Sequence, residues 1–328
     1  MPRAGRWRAA DQSSCQRSWS RGGRCTSSAR VVRVPAWGSQ WRFCAAVGVC
    51  STSTAMARDG SIPLPGPRVP GFEASGWITA VGPDVAAARV GEPVLALTAG
   101  GAFAETVVAP AALTLAVGEL PLRTAAGFGW GTPTAYDLVN TVGAVRPGES
   151  VLIHSGAGAV GTLAAQFARL AGAGRIVGVV GSAAKAEYAA AFGCHRVLLR
   201  EELPATDEQF DVILDPVGGA TRRDGLRRLA PHGRLVAYGE LGGAPAERVD
   251  ATELLMSDHS LLTYNSNLRS RTHPARLADS ARRALALLAD GRIRVDITAE
   301  YGLAELDTAV ERLRSGQAHG KSVLRVRS

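Results

Sequence analysis

The stretch Val151–Gly161, which reads VLIHSGAGAVG, decides the fold of this chain. Its first residues, Val151–Ile153, form an apolar run that is typical of a buried parallel strand. Gly156, Gly158 and Gly161 then complete the pattern G-x-G-x-x-G, and apolar residues follow at helical spacing. Those apolar residues are Val160, Leu163, Phe167 and Leu170. A strand, a glycine turn and an amphipathic helix in this order predict a dinucleotide-binding unit.

The chemistry of such a turn explains its glycines. The chain bends sharply there, and its backbone must come close to a pyrophosphate. The helix that follows offers free N–H groups and the positive end of its dipole to the phosphates. A tight strand-to-helix turn without a ligand is the alternative, and the strand and helix around the motif argue against it. The predicted cofactor contacts are Gly156, Ala157, Gly158, Ala159, Val160 and Gly161.

Strands and helices continue to alternate after this unit. Helices are predicted at Ala183–Ala191 and around Thr221–Leu229. The predicted strands are Arg175–Val180, Arg196–Leu199, Asp211–Asp215, Arg234–Tyr238 and Leu261–Tyr264. The alternation predicts an α/β fold with a Rossmann-like, doubly wound parallel sheet over residues 132–267.

The regions on either side of this sheet have a different pattern. From Gly71 to Val117, short apolar runs alternate with glycine, which predicts a smaller, mostly antiparallel β domain. A helix or a pair of helices is predicted at Thr124–Leu138. The C-terminal elements are predicted as helices at Pro274–Leu288 and Leu303–Leu313 and a closing strand at Ser322–Val326. We expect this tail to return to the smaller domain, which then comprises residues 43–131 and 268–328.

Composition and charge exclude several classes of protein. The formal net charge is +8, and residues 1–42 account for it with nine Arg and one acidic residue. The remaining chain is neutral and has no basic face for a nucleic acid. No uninterrupted apolar run reaches the roughly 18 residues of a transmembrane helix, so no membrane partner is expected. The five cysteines have no paired or metal-binding spacing, which favours a reducing, cytoplasmic location.

Residues 1–42 differ from the rest of the chain. They are rich in Arg, Ser and Trp and lack the periodicity of helices and strands. A disordered basic tail and an organellar transit peptide are two interpretations. A shifted reading frame is the third, because the chain has 37 basic residues of which two are Lys. Such a composition is typical of a GC-rich gene, in which shifted frames yield Arg, Ser, Trp and Cys.

The end of the second predicted strand selects the cofactor. An NAD site usually places Asp or Glu about 20 residues after the glycines, where the carboxylate binds the ribose hydroxyls. Here Ser182 and Lys185 occupy this region, and Glu187 is the first acidic residue. A hydroxyl and an ammonium attract a 2′-phosphate, which a carboxylate would repel. NADPH is therefore favoured over NADH, and Arg200 is either a second phosphate contact or a solvated loop charge.

Seven motifs in a fixed order carry a family resemblance. They are PGFEASGWITAVG (70–82), GGAFAETVVAP (100–110), GTPTAYDLV (131–139), VRPGESVLIHSGAGAVG (145–161), DVILDPVGG (211–219), GRLVAYG (233–239) and GKSVLRV (320–326). From about residue 44 to the C terminus, the chain resembles the medium-chain dehydrogenase/reductases. Within them it is most similar to the zinc-free quinone oxidoreductase and enoyl reductase branch.

This resemblance implies a GroES-like substrate domain, a homodimer, and hydride transfer from NADPH to a quinone or an α,β-unsaturated carbonyl. It also implies that zinc is absent. The ligand positions of the zinc alcohol dehydrogenases of this superfamily match Cys50, Phe72 and Trp130, and two aromatic side chains cannot bind a metal. Glu73, next to these positions, is expected to be structural.

Further site residues are expected beside the glycine turn. The resemblance implies that Thr134 lies near the nicotinamide. Tyr136 is a weak candidate for the proton donor, and a packed core residue is the alternative. His154 is expected to be a hydrogen-bonded structural residue. The other expected cofactor contacts are Pro216, Val217, Gly218 and Gly219 in one turn and Tyr238 and Gly239 in another.

Two other functions stay open, an alcohol dehydrogenase with an atypical site and an NADPH-binding protein without catalysis. The resemblance also bears on residues 1–42. Relatives begin with two or three strands that complete the small domain, and this segment stands in their place. Within it, Ala29–Val34 is the part that alternates. We therefore hypothesise a shifted-frame start, with homology resuming near Phe43.

Overall fold

The computed structural model of the protein describes residues 69–82, 85–243 and 248–326, and the backbone of two short strands before them. The strands, in chain order, are β1 Val31–Val32, β2 Ala46–Val49, β3 Glu73–Trp77, β4 Pro93–Leu97, β5 Ala109–Pro110, β6 Thr114–Ala116, β7 Ser150–His154, β8 Arg175–Val180, β9 Arg196–Leu199, β10 Phe210–Asp215, β11 Leu229–Ala237, β12 Ser260–Thr263, β13 Ile297–Gly302 and β14 Lys321–Arg325.

The helices lie between these strands and after them. They are α1 Leu122–Phe128, α2 Gly131–Tyr136, α3 Ala159–Leu170, α4 Ala183–Ala190, α5 Gly219–Arg227, α6 Ala251–Ser257, α7 Ser266–Thr272, α8 Pro274–Ala289 and α9 Leu306–Arg314. Helix α2 continues directly into a π-helical segment, Asp137–Val142. Within the described ranges, none of the helices has the length and apolar character needed to span a membrane.

Six strands form a parallel sheet in the order β12-β11-β10-β7-β8-β9. Strand β7 lies inside this sheet, and its side chains enter two apolar clusters on opposite faces. Ile153 belongs to the cluster that contains Phe167 of α3, whereas Leu152 belongs to the cluster packed by Leu226 of α5. The predicted doubly wound sheet is confirmed, because alternating strands and helices cover both of its faces.

The second sheet has the order β13-β14-β2-β3-β4-β6. All its neighbours are antiparallel except β13 and β14. Leu324 of β14 lies opposite Val47 of β2, and Ala46 of β2 lies opposite Ser75 of β3. The C-terminal tail therefore returns to the smaller antiparallel domain, as the sequence predicts.

Of the two alternatives predicted for Thr124–Leu138, a helix or a pair of helices, the structure has the pair, α1 and α2. The break falls at Gly129, which has a φ of +40°. A Cβ atom at this position would overlap the carboxylate of Glu73, a fully buried side chain. Glycine is therefore required here by both the backbone conformation and the space that Glu73 occupies.

Several elements differ from the sequence prediction, and helix α7 is one that was not predicted. Strand β11 begins at Leu229, well before the predicted start at Arg234, and a bulge separates its two parts. Strand β13 was not predicted, because its side chains are half-buried or exposed and do not alternate clearly. Helix α6 was not predicted either, and it has no buried residue.

Within residues 1–42, the structure describes β1. Val31 of this strand lies opposite Pro110, and Val32 lies opposite Ala109, in an antiparallel pair with β5. The strand falls inside Ala29–Val34, the part of the segment in which alternation is visible in the sequence. The disordered-tail, transit-peptide and shifted-frame hypotheses concern residues outside the described ranges and stay predictions.

Candidate active site

The glycine turn joins the end of β7 to the start of α3. Gly156 donates its N–H to the carbonyl of Val179 on β8, at 2.9 Å. A Cβ atom at Gly156 would lie 3.2 Å from the Cα of Gly178, and one at Gly161 would overlap the Ser155 carbonyl oxygen. These two glycines are therefore required by close packing between strand, turn and helix.

Gly158 differs from the other two glycines of the motif. Its φ of −78° suits any residue, and a Cβ atom there would have the Ser155 oxygen at 3.2 Å as its one neighbour within 4 Å. Gly158 is also the N-cap of α3, and no side chain caps the helix. The open space and the uncapped N–H groups fit a pyrophosphate, which needs backbone approach and donors from a helix N-terminus.

The candidate binding site for the 2′-phosphate of the cofactor lies after β8. Ser182 is exposed at the N-cap of α4, and a guanidinium nitrogen of Arg200 lies 3.8 Å from the Cβ position of Gly181. Lys185 donates to the carbonyl oxygen of Gly316, at 2.5 Å. Burial and the neighbouring Arg200 cation lower the pKa of Lys185. Arg200 thus lies beside Gly181, and Lys185 follows Ser182 by three residues on α4, while the role of all three side chains as 2′-phosphate contacts stays a prediction.

Arg200 has no bound partner among the described residues. None of the hydrogen bonds and ion pairs of this part of the chain involves its guanidinium, although neighbouring Arg196 pairs with Glu208. An exposed arginine without an acidic partner is available to bind an anion.

The turn after β10 is held by Asp215. This fully buried carboxylate accepts from the N–H groups of Val217 and Gly218, at 2.7 and 3.1 Å, and pairs with Arg222 at 2.8 Å. A Cβ atom at Gly239 would lie 2.7 Å from the carbonyl oxygen of Pro216. The structure thus brings the predicted Pro216–Gly219 and Tyr238–Gly239 segments side by side at the carboxyl ends of β10 and β11.

His154, at the end of β7, departs from its expected role. The side chain is buried, and among the described residues its Nε2 atom has no hydrogen-bond partner. The expectation of a hydrogen-bonded structural histidine is therefore wrong for this nitrogen. Burial lowers the pKa of His154 below its usual value of 6.5, which keeps the ring neutral.

Thr134 and Tyr136 lie on α2, which packs along α3. Thr134 is buried next to Tyr264, whose hydroxyl donates to Asp137 at 3.0 Å. The ring of Tyr136 packs edge-to-face on Phe167, with 5.5 Å between ring centroids. This contact gives Tyr136 a packing role, and its role as a proton donor stays a prediction.

A buried ion pair lies beside Phe72 and Trp130, two of the positions matched to metal ligands. Trp130 donates its indole N–H to the carbonyl of Phe72 at 2.7 Å and its backbone N–H to Glu73 at 2.5 Å. Lys321 pairs with the other carboxylate oxygen of Glu73. No group of three His, Cys, Asp or Glu side chains among the described residues is arranged to hold a metal, and Cys50 lies outside them. The ammonium of Lys321 therefore neutralises the buried carboxylate of Glu73.

Lys321 is the residue of this site that sequence reasoning missed. It follows Gly320, whose N–H donates to the Ala157 carbonyl of the glycine turn at 3.1 Å. The signal was present in GKSVLRV, because the chain has two lysines among its 37 basic residues. Burying an ammonium without a partner costs free energy. A lysine within an apolar strand therefore indicates that an acidic side chain is buried nearby.

Comparisons with known proteins identify relatives of this arrangement. A family model described as an alcohol dehydrogenase GroES-like domain matches residues 44–119, and one described as a zinc-binding dehydrogenase matches residues 192–324. The chain is 32% identical over 279 residues to a Pseudomonas aeruginosa quinone oxidoreductase. The aligned region covers 81% of this chain and 85% of that protein.

Two further relatives extend the comparison. A Danio rerio synaptic vesicle membrane protein VAT-1 homolog is 30% identical over 296 residues, covering 82% of this chain. The chain spans 60% of the length of that relative. The solved structure of Escherichia coli quinone oxidoreductase complexed with NADPH has a TM-score of 0.76 and 27% identity, and the match covers 86% of this chain and 90% of that one.

Proposed function

Because the chain belongs to the medium-chain dehydrogenase/reductase superfamily, in its quinone oxidoreductase branch, we propose that it is an NADPH-dependent oxidoreductase. Its substrate is a quinone or an α,β-unsaturated carbonyl. Arg200 carries the proposal, because it lies beside Gly181, has no partner in the part of the chain that the structure describes, and fits a 2′-phosphate next to the open glycine turn.

The residues around the turn have separate roles in this proposal. The N–H groups at the start of α3 hold the pyrophosphate above Gly158, while Arg200 and Lys185 bind the 2′-phosphate. Thr134 lies near the nicotinamide. The turns at Pro216–Gly219 and Tyr238–Gly239 complete the cofactor contacts.

The reaction needs no metal in this proposal. When bound, NADPH supplies a hydride, and with a proton from solvent or a side chain this saturates the C=C bond or converts a quinone to the hydroquinone. Hydrogen-bond donors at the substrate oxygen are what such a reduction needs from the protein, because they stabilise the negative charge that develops there. The Glu73–Lys321 pair and Trp130 fill the region that metal ligands would occupy, which supports a zinc-independent reduction.

An atypical alcohol dehydrogenase is the second candidate, and the zinc-binding dehydrogenase family model favours it. A plain alcohol needs a Lewis acid to activate its hydroxyl. Metal analysis of the purified protein separates the two candidates. We expect less than about 0.1 zinc per chain, because tetrahedral zinc needs at least three protein ligands. Stoichiometric zinc would favour the alcohol dehydrogenase.

A screen of NADPH oxidation tests the activity. Quinones, enones and enoyl thioesters are each supplied with NADPH or NADH, and absorbance of the reduced nicotinamide is followed. We expect turnover with NADPH for at least one of these substrate classes. Tight NADPH binding without turnover of any of them would favour a protein that binds the cofactor without catalysis.

A homodimer in the cytoplasm completes the proposal. Strand β12 lies at one edge of the parallel sheet, and the preceding helix α6 exposes Leu255 and Met256 at 76% and 80%. An open strand edge beside exposed apolar side chains supports pairing with a second copy, which light scattering of the purified protein tests. The free thiol of buried Cys194 supports a reducing compartment.

A further inference from the structure

Helix α4 connects the candidate 2′-phosphate end with the smaller domain. Its N-cap Ser182 belongs to the cofactor site, but two side chains from the body of the helix reach the C-terminal part of the other domain. Lys185 donates to the Gly316 carbonyl at 2.5 Å, and Tyr188 donates to Oδ2 of Asp296 at 2.8 Å. The helix therefore contacts the cofactor site at its start and the smaller domain along its length.

The hydroxyl of Tyr188 lies at the centre of this contact. Its ring packs edge-on against the imidazole of His319, with 4.6 Å between ring centroids. Gly320 has a φ of +59°, and a Cβ atom there would overlap the Tyr188 hydroxyl oxygen. The N–H of Gly320 in turn donates to Ala157 in the glycine turn. Tyr188 therefore contacts His319 and Gly320, the segment that is hydrogen-bonded to the glycine turn.

Lys185 and Arg200 are two neighbouring cations without an acidic partner in the described part of the chain. Like charges at close range destabilise each other unless an anion lies between them. The ammonium of Lys185 has three N–H donors, and the Gly316 carbonyl uses one. The others are available to a phosphate. A bound 2′-phosphate would therefore be joined to Gly316 through one side chain.

We propose that helix α4 couples the 2′-phosphate site to the smaller domain, with Tyr188 as a positioning residue for cofactor selection. NADPH, held by Arg200 and Lys185, fastens residues 316–320 against the glycine turn, and NADH does not. Tyr188 touches neither dinucleotide in this arrangement. It sets the position of Lys185, which lies one helical turn earlier. The inference rests on the proposed function.

Cofactor affinity provides the first test, by fluorescence titration of both reduced dinucleotides. Tyr188→Phe removes the bond to Asp296 and retains the ring. We expect the Kd for NADPH to rise about 2- to 10-fold, since one hydrogen bond is lost, and the Kd for NADH to change less than about 2-fold. Tyr301→Phe is the matched control, because the Tyr301 hydroxyl accepts from Arg312 within the smaller domain. It leaves both affinities unchanged.

Hydrogen exchange provides the second test, on full-length protein saturated with each dinucleotide. We expect NADPH to protect the backbone amides of residues 316–321 more strongly than NADH does, and Tyr188→Phe to remove this difference. Asp296→Asn retains an acceptor oxygen without the charge. It is the second variant if Tyr188→Phe fails to fold, and a smaller change in the same direction is expected.

Three outcomes would overturn the inference. Equal protection by NADPH and NADH at full occupancy would show that the 2′-phosphate is not coupled to the segment. An equal rise of both Kd values in Tyr188→Phe would assign Tyr188 a merely structural role. Failure of the unmodified protein to bind either dinucleotide would overturn the proposed function as well, and the titration distinguishes this case from the other two.

Discussion

The glycine turn and the Glu73–Lys321 pair both bring atoms into close contact, the turn within the parallel-sheet domain and the pair within the smaller domain. In the turn, Gly161 packs against Ser155 and Gly156, so all the constraints are local in sequence. In the pair, residues 248 positions apart place opposite charges in a buried site. The comparison teaches that the turn depends on local backbone spacing, whereas the pair depends on opposite charges that distant segments of the smaller domain bring together.

The largest effect is expected at the ion pair. Lys321→Met leaves the buried Glu73 carboxylate without a countercharge, which costs about 3–5 kcal/mol in the free energy of unfolding. Urea denaturation followed by circular dichroism measures this loss. Arg123→Met, which breaks an exposed pair with Glu300, is the control and should cost at most about 1 kcal/mol. Equal losses in the two variants would remove the distinction between buried and exposed pairs.

Two substitutions in the glycine turn should separate an effect on stability from an effect on cofactor binding. Gly161→Ala drives a Cβ atom into the Ser155 carbonyl, and we expect overpacking to cost about 1–3 kcal/mol in stability. Gly158→Val places its side chain where the pyrophosphate binds, so NADPH binding is lost while stability falls by about 1 kcal/mol. Retained NADPH affinity in folded Gly158→Val, measured by fluorescence titration, would mean that the cofactor enters elsewhere.

The 2′-phosphate end should show a selective effect on binding. Lys185→Glu or Arg200→Gln removes a charge-assisted contact worth about 1.5–3 kcal/mol, so the preference for NADPH over NADH should drop roughly 10- to 150-fold. Arg196→Gln is the control, because Arg196 lies on β9 four residues before Arg200 and pairs with Glu208, and this variant should retain the preference. Equal weakening of both dinucleotides would show that the altered residue supports the fold instead.

The smallest effect is expected from His154 and depends on pH. Its folded-state pKa lies below the unfolded value of 6.5 because the ring is buried. The unfolded chain therefore binds a proton as pH falls below about 6.5, and the native state does not, so stability decreases in that window by at most about 1.4 kcal/mol per pH unit. His154→Asn should flatten this dependence in urea denaturation at pH 5–7.5, and an unchanged slope would contradict the assignment.

Residue by residue, local patterns explain what could be predicted. The strand–glycine–helix order, the acid-free end of β8 and the side-by-side turns at Pro216 and Gly239 all follow from segments of fewer than about ten residues around strand ends, where ligands of such sheets bind. The partners of Lys185, Tyr188 and Lys321 could not be predicted in this way. Each lies more than 100 positions away, and nothing in the sequence pairs them.

By itself, the sequence determined the parallel sheet, the position of the glycine turn and the membership of the family, and it led to the prediction of a 2′-phosphate site. These depend on periodicity, on glycine spacing and on the residue types next to a strand end, all of which act over short distances along the chain. Tertiary structure alone decided that Glu73 is neutralised by Lys321, that Nε2 of His154 lacks a partner among the described residues, and that α4 touches the smaller domain. Such contacts depend on burial and on charge pairing, which arise when distant segments are brought together.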